Sequence, residues 1–157
     1  MVLDRAITGP DVDWFTRIRR IVCPPLHRLS RPLGGYAECI MDPDEYVGSV
    51  DRELSVFVTE LRAMGFRREP ISSLKRHEDG RFSVGSWVKR PSPLADKQLH
   101  VTLFRNRTAS IDIFAHHEDS WISHPIRHYR ATGWDTTTGV AKMRRLLTHH
   151  GIGLIEA

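Results

Sequence analysis

The sequence predicts a single α+β domain over residues 1–157, an antiparallel sheet of about four strands with helices packed on one face. Three segments space their apolar residues as helices do, two others alternate apolar and polar residues, and Asp79-Gly80 is a dipeptide that closes tight hairpins. The helices are not interleaved regularly with the strands, which favours an antiparallel sheet. A chain of 157 residues, 40% of them hydrophobic, suffices for one compact core.

The first predicted helix lies in DVDWFTRIRRIV. Its apolar residues, from Trp14 to Val22, recur at helical spacing, and Asp11 can cap its start. Cys23-Pro24-Pro25 is expected to end it, because proline interrupts a helix. A proline-rich connector then leads to a short predicted strand over residues 37–41.

The clearest helix is predicted in SVDRELSVFVTELRAMGF. Ser49 is expected to cap it, Asp51 and Glu53 fall in its first turn, and Gly65 follows its end. Its apolar face should pack on a sheet whose first hairpin turns at Asp79-Gly80.

Two alternating segments, KQLHVTLF and ASIDIFAH, predict the next hairpin. Burying both apolar sets allows Leu103 to face Ile111 and Val101 to face Ile113, across a loop with an odd residue count such as 106–108. On the other face this register places residue 100 opposite 114, residue 102 opposite 112 and residue 98 opposite 116.

Two helices complete the predicted fold. Ser120 or Ser123 can cap a short one with Pro125 in its first turn. The last runs from about Asp135 or Thr138 to His150 and stops at Gly151.

Charge allows a polyanionic partner, since the net charge is +4 with a pI near 9.4. Residues 14–36 contain no acid, and their arginines are candidates for binding nucleic acid or an acidic protein: Arg17, Arg19, Arg20, Arg28 and Arg31. Solvated helix faces are an equally good interpretation.

A signal peptide and an apolar run of spanning length are both missing from the sequence, so a cytoplasmic protein without a membrane partner is expected. Cys23 and Cys39 lack zinc-type spacing.

The stretch AHHEDSWISHPIRHYR gathers four of the nine histidines into sixteen positions. Its first half shares the polar face of the hairpin with His100 and Thr102, so that His100, Asp112 and His116 form a candidate acid–base set on a solvated floor. A plain solvated sheet face explains the same pattern.

The string LHVTLF resembles one half of the signature of two-histidine phosphoesterases. The resemblance covers six residues and implies that His100 acts as acid or base on a phosphodiester while Thr102 holds the phosphate. A second His-x-Thr/Ser string is absent from the chain, so membership is not assigned.

A metal site is the second hypothesis for this stretch. His124 and His128 lie one helical turn apart, and His116, His117 or Glu118 could complete a site for a divalent metal. The zinc-protease helix is excluded, because position 121 is Trp where that motif needs His. Whether the protein has a cofactor is left open.

The sequence thus favours a small phosphodiesterase or nuclease acting on nucleic-acid or nucleotide phosphates. His100, Asp112, His116, His124 and His128 are the catalytic candidates, and the substrate-binding candidates are Thr102, Arg127, Arg130 and Trp121. No P-loop, dinucleotide turn or nucleophile elbow is present. The alternative is a non-catalytic module that binds nucleic acid or protein through the basic first helix.

Overall fold

The computed structural model describes residues 14–30, 32, 39–69, 75–106, 108, 110–129 and 133–155. Its helices are α1 (Trp14–Ser30), α2 (Leu54–Ala63), α3 (Pro125–Tyr129) and α4 (Thr136–His149), with a 3₁₀ helix at Pro43–Glu45. Its strands are β1 (Cys39–Ile40), β2 (Tyr46–Val50), β3 (Arg67–Arg68), β4 (Lys75–Arg76), β5 (Gly85–Lys89), β6 (Lys97–Arg105) and β7 (Ile111–Asp119).

A five-stranded antiparallel sheet in the order β2-β7-β6-β5-β3 confirms the predicted α+β class. It has one strand more than expected, and β1 and β4 form a separate parallel pair. Helices α2 and α4 cover one face of the sheet, where Phe57, Leu61, Met143 and Leu147 join the strand residues Leu99, Val101, Leu103, Ile111, Ile113 and Ala115 in one core. We call this face the core face.

Two predicted helix boundaries are wrong. Helix α1 continues through Pro24 and Pro25 to Ser30, although proline removes one backbone donor and crowds the preceding turn. Apolar residues on both sides of the prolines are exposed, among them Ile18 and Leu29, so water can satisfy the carbonyls that lose helical partners.

Strand β2 occupies the start of the segment predicted as the second helix. Ser49 is a strand residue rather than a cap, and the helix begins at Leu54 with Glu53 as N-cap. The apolar spacing from Val50 to Phe57 fits a helix, but Val50 is buried in the sheet opposite Ile111.

The β6–β7 hairpin has the predicted faces but not the predicted register. Leu103 pairs with Ile113 and Val101 with Ala115, two residues from the expected partners, across a five-residue loop at 106–110. Both registers bury the same alternating side chains, and the longer loop selects the observed one.

The final helices agree with the sequence prediction. Helix α3 begins at Pro125, and α4 is capped by Asp135, which accepts a hydrogen bond from the Thr138 amide at 2.8 Å. Gly151, with φ 68°, follows its end. Among the residues that the structure describes, none of the helices has both the length and the apolarity that a bilayer crossing needs.

Candidate functional site

The face of the sheet opposite the core face carries a cluster of histidines and carboxylates. His100 and His116 are directly paired across β6 and β7, with their ring centroids 4.9 Å apart. Glu118 follows two residues later on the same strand face. His100, Asp112 and His116 therefore share one face as predicted, although residue 100 lies opposite 116 rather than 114.

Glu118 joins the two imidazoles. Its Oε1 lies 2.9 Å from His100 Nδ1, and its Oε2 lies 3.2 Å from His116 Nε2. Gln98 Nε2 donates to the same Oε1 at 2.7 Å. Neither ring nitrogen of His100 has a hydrogen-bond partner of good geometry among the described residues, which is costly for a buried imidazole.

A second carboxylate closes the other side of the cluster. Glu45, from the 3₁₀ helix before β2, places Oε2 2.8 Å from His116 Nδ1. Lys75 Nζ lies 4.0 Å from that oxygen and 4.7 Å from the ring centroid of Trp134, which stacks on His116 at 4.2 Å. We call His100, His116, Glu118, Glu45 and Lys75 the His/Glu cluster.

Burial corrects the expected solvated floor. His100 is 3% exposed, and His116 and Glu118 are each 1% exposed. The sequence predicted an open polar row because polar residues usually face water. Here acid, base and cation satisfy one another in part, and that allows them to be buried.

The pKa shifts in the cluster favour charged carboxylates beside a neutral His100. Burial raises the pKa of Glu118, but His100 and His116 outweigh it and bring this pKa well below its ordinary value. The pKa of Glu45 is also lowered, because its hydrogen bond to His116 and the charge of Lys75 exceed the effect of burial. Burial lowers the pKa of His100 to about 4 against the raising effect of Glu118. At neutral pH two carboxylates thus face one lysine and a neutral His100.

His116 has a carboxylate oxygen within hydrogen-bond distance of each of its ring nitrogens. A neutral imidazole carries one N–H and can donate to only one of the two carboxylates that flank it. If Nδ1 donates its proton to Glu45, then Nε2 carries no proton. Its lone pair faces the Glu118 carboxylate, and two acceptors cannot form a hydrogen bond. A cation or a second proton is needed between them.

The ligand atoms of His100, His116 and Glu118 all lie within 4.8 Å of one another, close enough to bind one metal ion. Two histidines and one carboxylate are a donor set that suits zinc, iron and other divalent transition metals. The Glu45 carboxylate on the far nitrogen of His116 is the outer partner that metal-bound histidines usually have. The site differs from the predicted one, which centred on His124 and His128.

Only one of those two histidines reaches the cluster. His128 Nδ1 lies 3.4 Å from Glu118 Oε2 and 3.2 Å from the carbonyl oxygen of Asp119. His124 instead places Nε2 3.3 Å from Asp96 Oδ1, and a third of its side chain is exposed. The expectation that both imidazoles meet at one site is wrong, because His124 precedes the first residue of α3 and its imidazole turns to Asp96 instead of Glu118.

Asp112 lies in a separate cavity of about 570 Å³. Its carboxylate accepts hydrogen bonds from Ser49 Oγ at 2.6 Å and from Arg81 Nη2 at 3.1 Å. Phe114 lies between Asp112 and His116, which are four residues or about 13 Å apart along β7, and Phe104, opposite Asp112, packs against it. Asp112 is therefore not an orienting partner for either cluster histidine, which corrects the predicted acid–base set.

The substrate-binding candidates are dispersed. Thr102 is buried against Ser86, with their hydroxyl oxygens 3.2 Å apart, so it does not face an open site. Half-buried Trp121 packs beneath Arg90, and the exposed Arg127 lies 3.5 Å from Asp119 Oδ2. Arg130 lies outside the described residues.

The basic candidates of α1 are described only in part. Arg28 is exposed and Arg17 is half-buried, while the side chains of Arg19 and Arg20 are not described. Arg31 lies outside the described residues.

Sequence reasoning missed two members of the cluster and underused a third. Glu118 lies two residues beyond His116, so the alternation already placed it on the correct face. Glu45 contacts His116 across 71 residues of chain, and nothing in the local pattern around Glu45 or Lys75 indicates this contact.

The fold and site together define an α+β protein with a buried histidine–glutamate cluster on the sheet face opposite its main core. No family model, no curated protein and no solved structure matches the chain.

Proposed function

We propose that this protein binds one divalent transition-metal ion through His100, His116 and Glu118. The observation that carries the proposal is His100, a buried imidazole whose ring nitrogens have no partner of good hydrogen-bond geometry among the described residues, although its Nδ1 lies 2.9 Å from Glu118 Oε1. A bound cation would use that nitrogen, pair with the Glu118 carboxylate and leave Glu45 to accept the remaining His116 proton.

The activity we propose for the loaded site is hydrolysis of a phosphodiester. Three protein ligands leave at least one coordination position open, where a metal ion can activate water near neutral pH and polarise a phosphoryl oxygen. The water oxygen bonds to phosphorus, the P–O bond to the leaving alcohol breaks, and that alcohol receives a proton.

Metal binding is tested with chelator-stripped protein titrated with Zn²⁺, Mn²⁺ or Ni²⁺ in a calorimeter. We expect one ion per chain and an affinity about 100-fold lower in His100→Gln and Glu118→Gln, because each variant removes a metal ligand. His124→Gln removes an imidazole away from the cluster and should bind like the wild type. Absence of binding, or equal binding by the wild type and Glu118→Gln, would reject the site.

The variant Lys75→Met distinguishes the loss of the metal site from the loss of the fold. Removing a positive charge from the cluster should tighten cation binding, a gain that misfolding cannot produce. Hydrolysis is then measured with bis(4-nitrophenyl) phosphate and a dinucleotide. If the loaded wild type cleaves neither substrate, the hydrolytic part of the proposal fails while the metal site stands.

Helix α1 supports a second candidate function, binding to nucleic acid. It contains no acidic residue, and the exposed side chains along it include Arg28. We expect fluorescence polarisation with a short duplex to detect binding whose affinity falls steeply between low and physiological salt. Arg17→Gln combined with Arg28→Gln should weaken it, whereas Arg62→Gln on α2 should not. Salt-independent binding, or no binding at low salt, would exclude this candidate.

A further inference from the structure

A second cavity, of about 500 Å³, opens on the core face of the sheet beside helix α4. Leu99 and His117 line it from β6 and β7, and the alternation of the strands places both on the side opposite the His/Glu cluster. Helix α4 contributes side chains spaced three, four and seven residues apart, so they lie on one helix face: Lys142, Arg145, Leu146 and His149. Lys89 and Pro91 complete the wall. We call this cavity the basic pocket.

No acidic side chain lines the basic pocket among the residues that the structure describes. Each of its three permanent cations contacts a neutral acceptor instead. Lys142 Nζ lies 3.0 Å from His117 Nε2, Lys89 Nζ donates to the Met64 carbonyl at 2.7 Å, and Arg145 Nε donates to the Ala141 carbonyl at 3.4 Å.

This arrangement concentrates positive charge, which the exposed Asp135 carboxylate before α4 offsets only in part through Lys142. A neutral acceptor orients an ammonium group without cancelling its charge, so three cations beside one nearby carboxylate give the pocket a positive potential. The apolar side chains of Leu99, Leu146 and Pro91 shield the site from part of the solvent and offer contact area to a non-polar group. The volume falls within the range of small-molecule sites.

We infer that the basic pocket binds a phosphate monoester that carries a compact apolar body. Two negative charges match three cations better than one would, and guanidinium and ammonium groups are the usual phosphate donors in proteins. The apolar body would rest on the leucine and proline side chains. The site is separate from the metal centre and does not depend on it.

The test uses 1-naphthyl phosphate, with inorganic phosphate and 1-naphthol as its two parts, titrated into metal-free full-length protein. We expect saturable binding of naphthyl phosphate by calorimetry, at least about tenfold tighter than either part. Amide shifts in NMR spectra should map to Leu99, His117 and helix α4. If inorganic phosphate binds as tightly as the ester, the role of the apolar wall is overturned. If 1-naphthol binds as tightly as the ester, the role of the cations is overturned.

The matched variants are Lys142→Gln with Arg145→Gln in the pocket and Arg62→Gln outside it. The pocket double variant should lose about tenfold or more in affinity, as expected for charge-assisted contacts, while Arg62→Gln should bind as the wild type does. Arg145 is exposed and Lys142 is half-buried, and neither belongs to the hydrophobic core, so the fold should persist, and near-ultraviolet circular dichroism checks this. Equal affinity of the double variant and the wild type would overturn the proposal.

Discussion

Replacing Gly139 by Ala is expected to destabilise the protein by about 3 kcal/mol. Gly139 lies in the first turn of α4, against the backbone of β7, where an added Cβ would come 2.3 Å from the Cα and 2.5 Å from the carbonyl carbon of His116. Both partners are backbone atoms, so rotation of a side chain cannot relieve the clash. Helix α4 would have to move about 1 Å away from the sheet to restore ordinary contact.

The two effects of this substitution have opposite signs. Alanine favours a helix over glycine by about 1 kcal/mol. Separation of α4 from β7 loosens the packing of Met143 and Leu147, both fully buried, and costs more than that gain. Because the displaced backbone belongs to His116, we also expect weaker metal binding at the His/Glu cluster.

Urea unfolding of Gly139→Ala measures this effect, with Gly153→Ala as the matched control. A Cβ at Gly153 would meet no atom within 4 Å, so this variant should stay within about 0.5 kcal/mol of the wild type. If Gly139→Ala were as stable as Gly153→Ala, the close approach of α4 to β7 would be refuted.

The faces of the β6–β7 hairpin could be predicted from the sequence, and its register could not. Alternation assigns every side chain to a face, and so places His100 and His116 together. It repeats every two residues, so pairing Leu103 with Ile111 or with Ile113 buries the same aliphatic set. The choice depends on the conformation of the 106–110 loop, which has no decisive turn dipeptide.

The candidate site was located but its composition was only partly predictable. His100, His116 and Glu118 belong to two neighbouring strands whose pattern is local. Glu45 and Lys75 reach the cluster through long-range contacts that no periodicity encodes. The burial of the cluster was equally hidden, because a row of polar side chains normally indicates a solvated face.

Acidification is expected to weaken the metal-free protein by about 3 kcal/mol through His100 alone. The ordinary pKa of 6.5 applies to the unfolded chain, while burial lowers the pKa in the fold to about 4. Between these values the unfolded state binds a proton that the folded state does not, so the free energy of unfolding falls as pH falls. The contribution of neutral His100 to the free energy of unfolding is fully present above pH 6.5 and is lost by about pH 4.

The carboxylates of Glu45 and Glu118 affect stability in a lower pH range than His100 does. Glu45 and Glu118 have pKa values in the fold below their ordinary value of 4.5, so their contribution is present above that value and declines only as pH falls below it. Stability lost between pH 6.5 and pH 4.5 is therefore assigned to histidines rather than to these carboxylates: to His100 and, in addition, to His117, whose pKa is also lowered by burial.

Urea unfolding at a series of pH values, with a chelator present, measures this dependence, and His100→Leu should remove the part that is due to His100. The variant has no imidazole to protonate, so its slope between pH 6.5 and pH 4.5 should be smaller than that of the wild type by up to about 1.4 kcal/mol per pH unit. His124→Leu, which removes a partly exposed imidazole away from the cluster, should keep the wild-type slope. Parallel curves for the wild type and His100→Leu would mean that His100 is not held neutral by burial. That result would contradict the neutral state of His100 on which the proposed metal site depends.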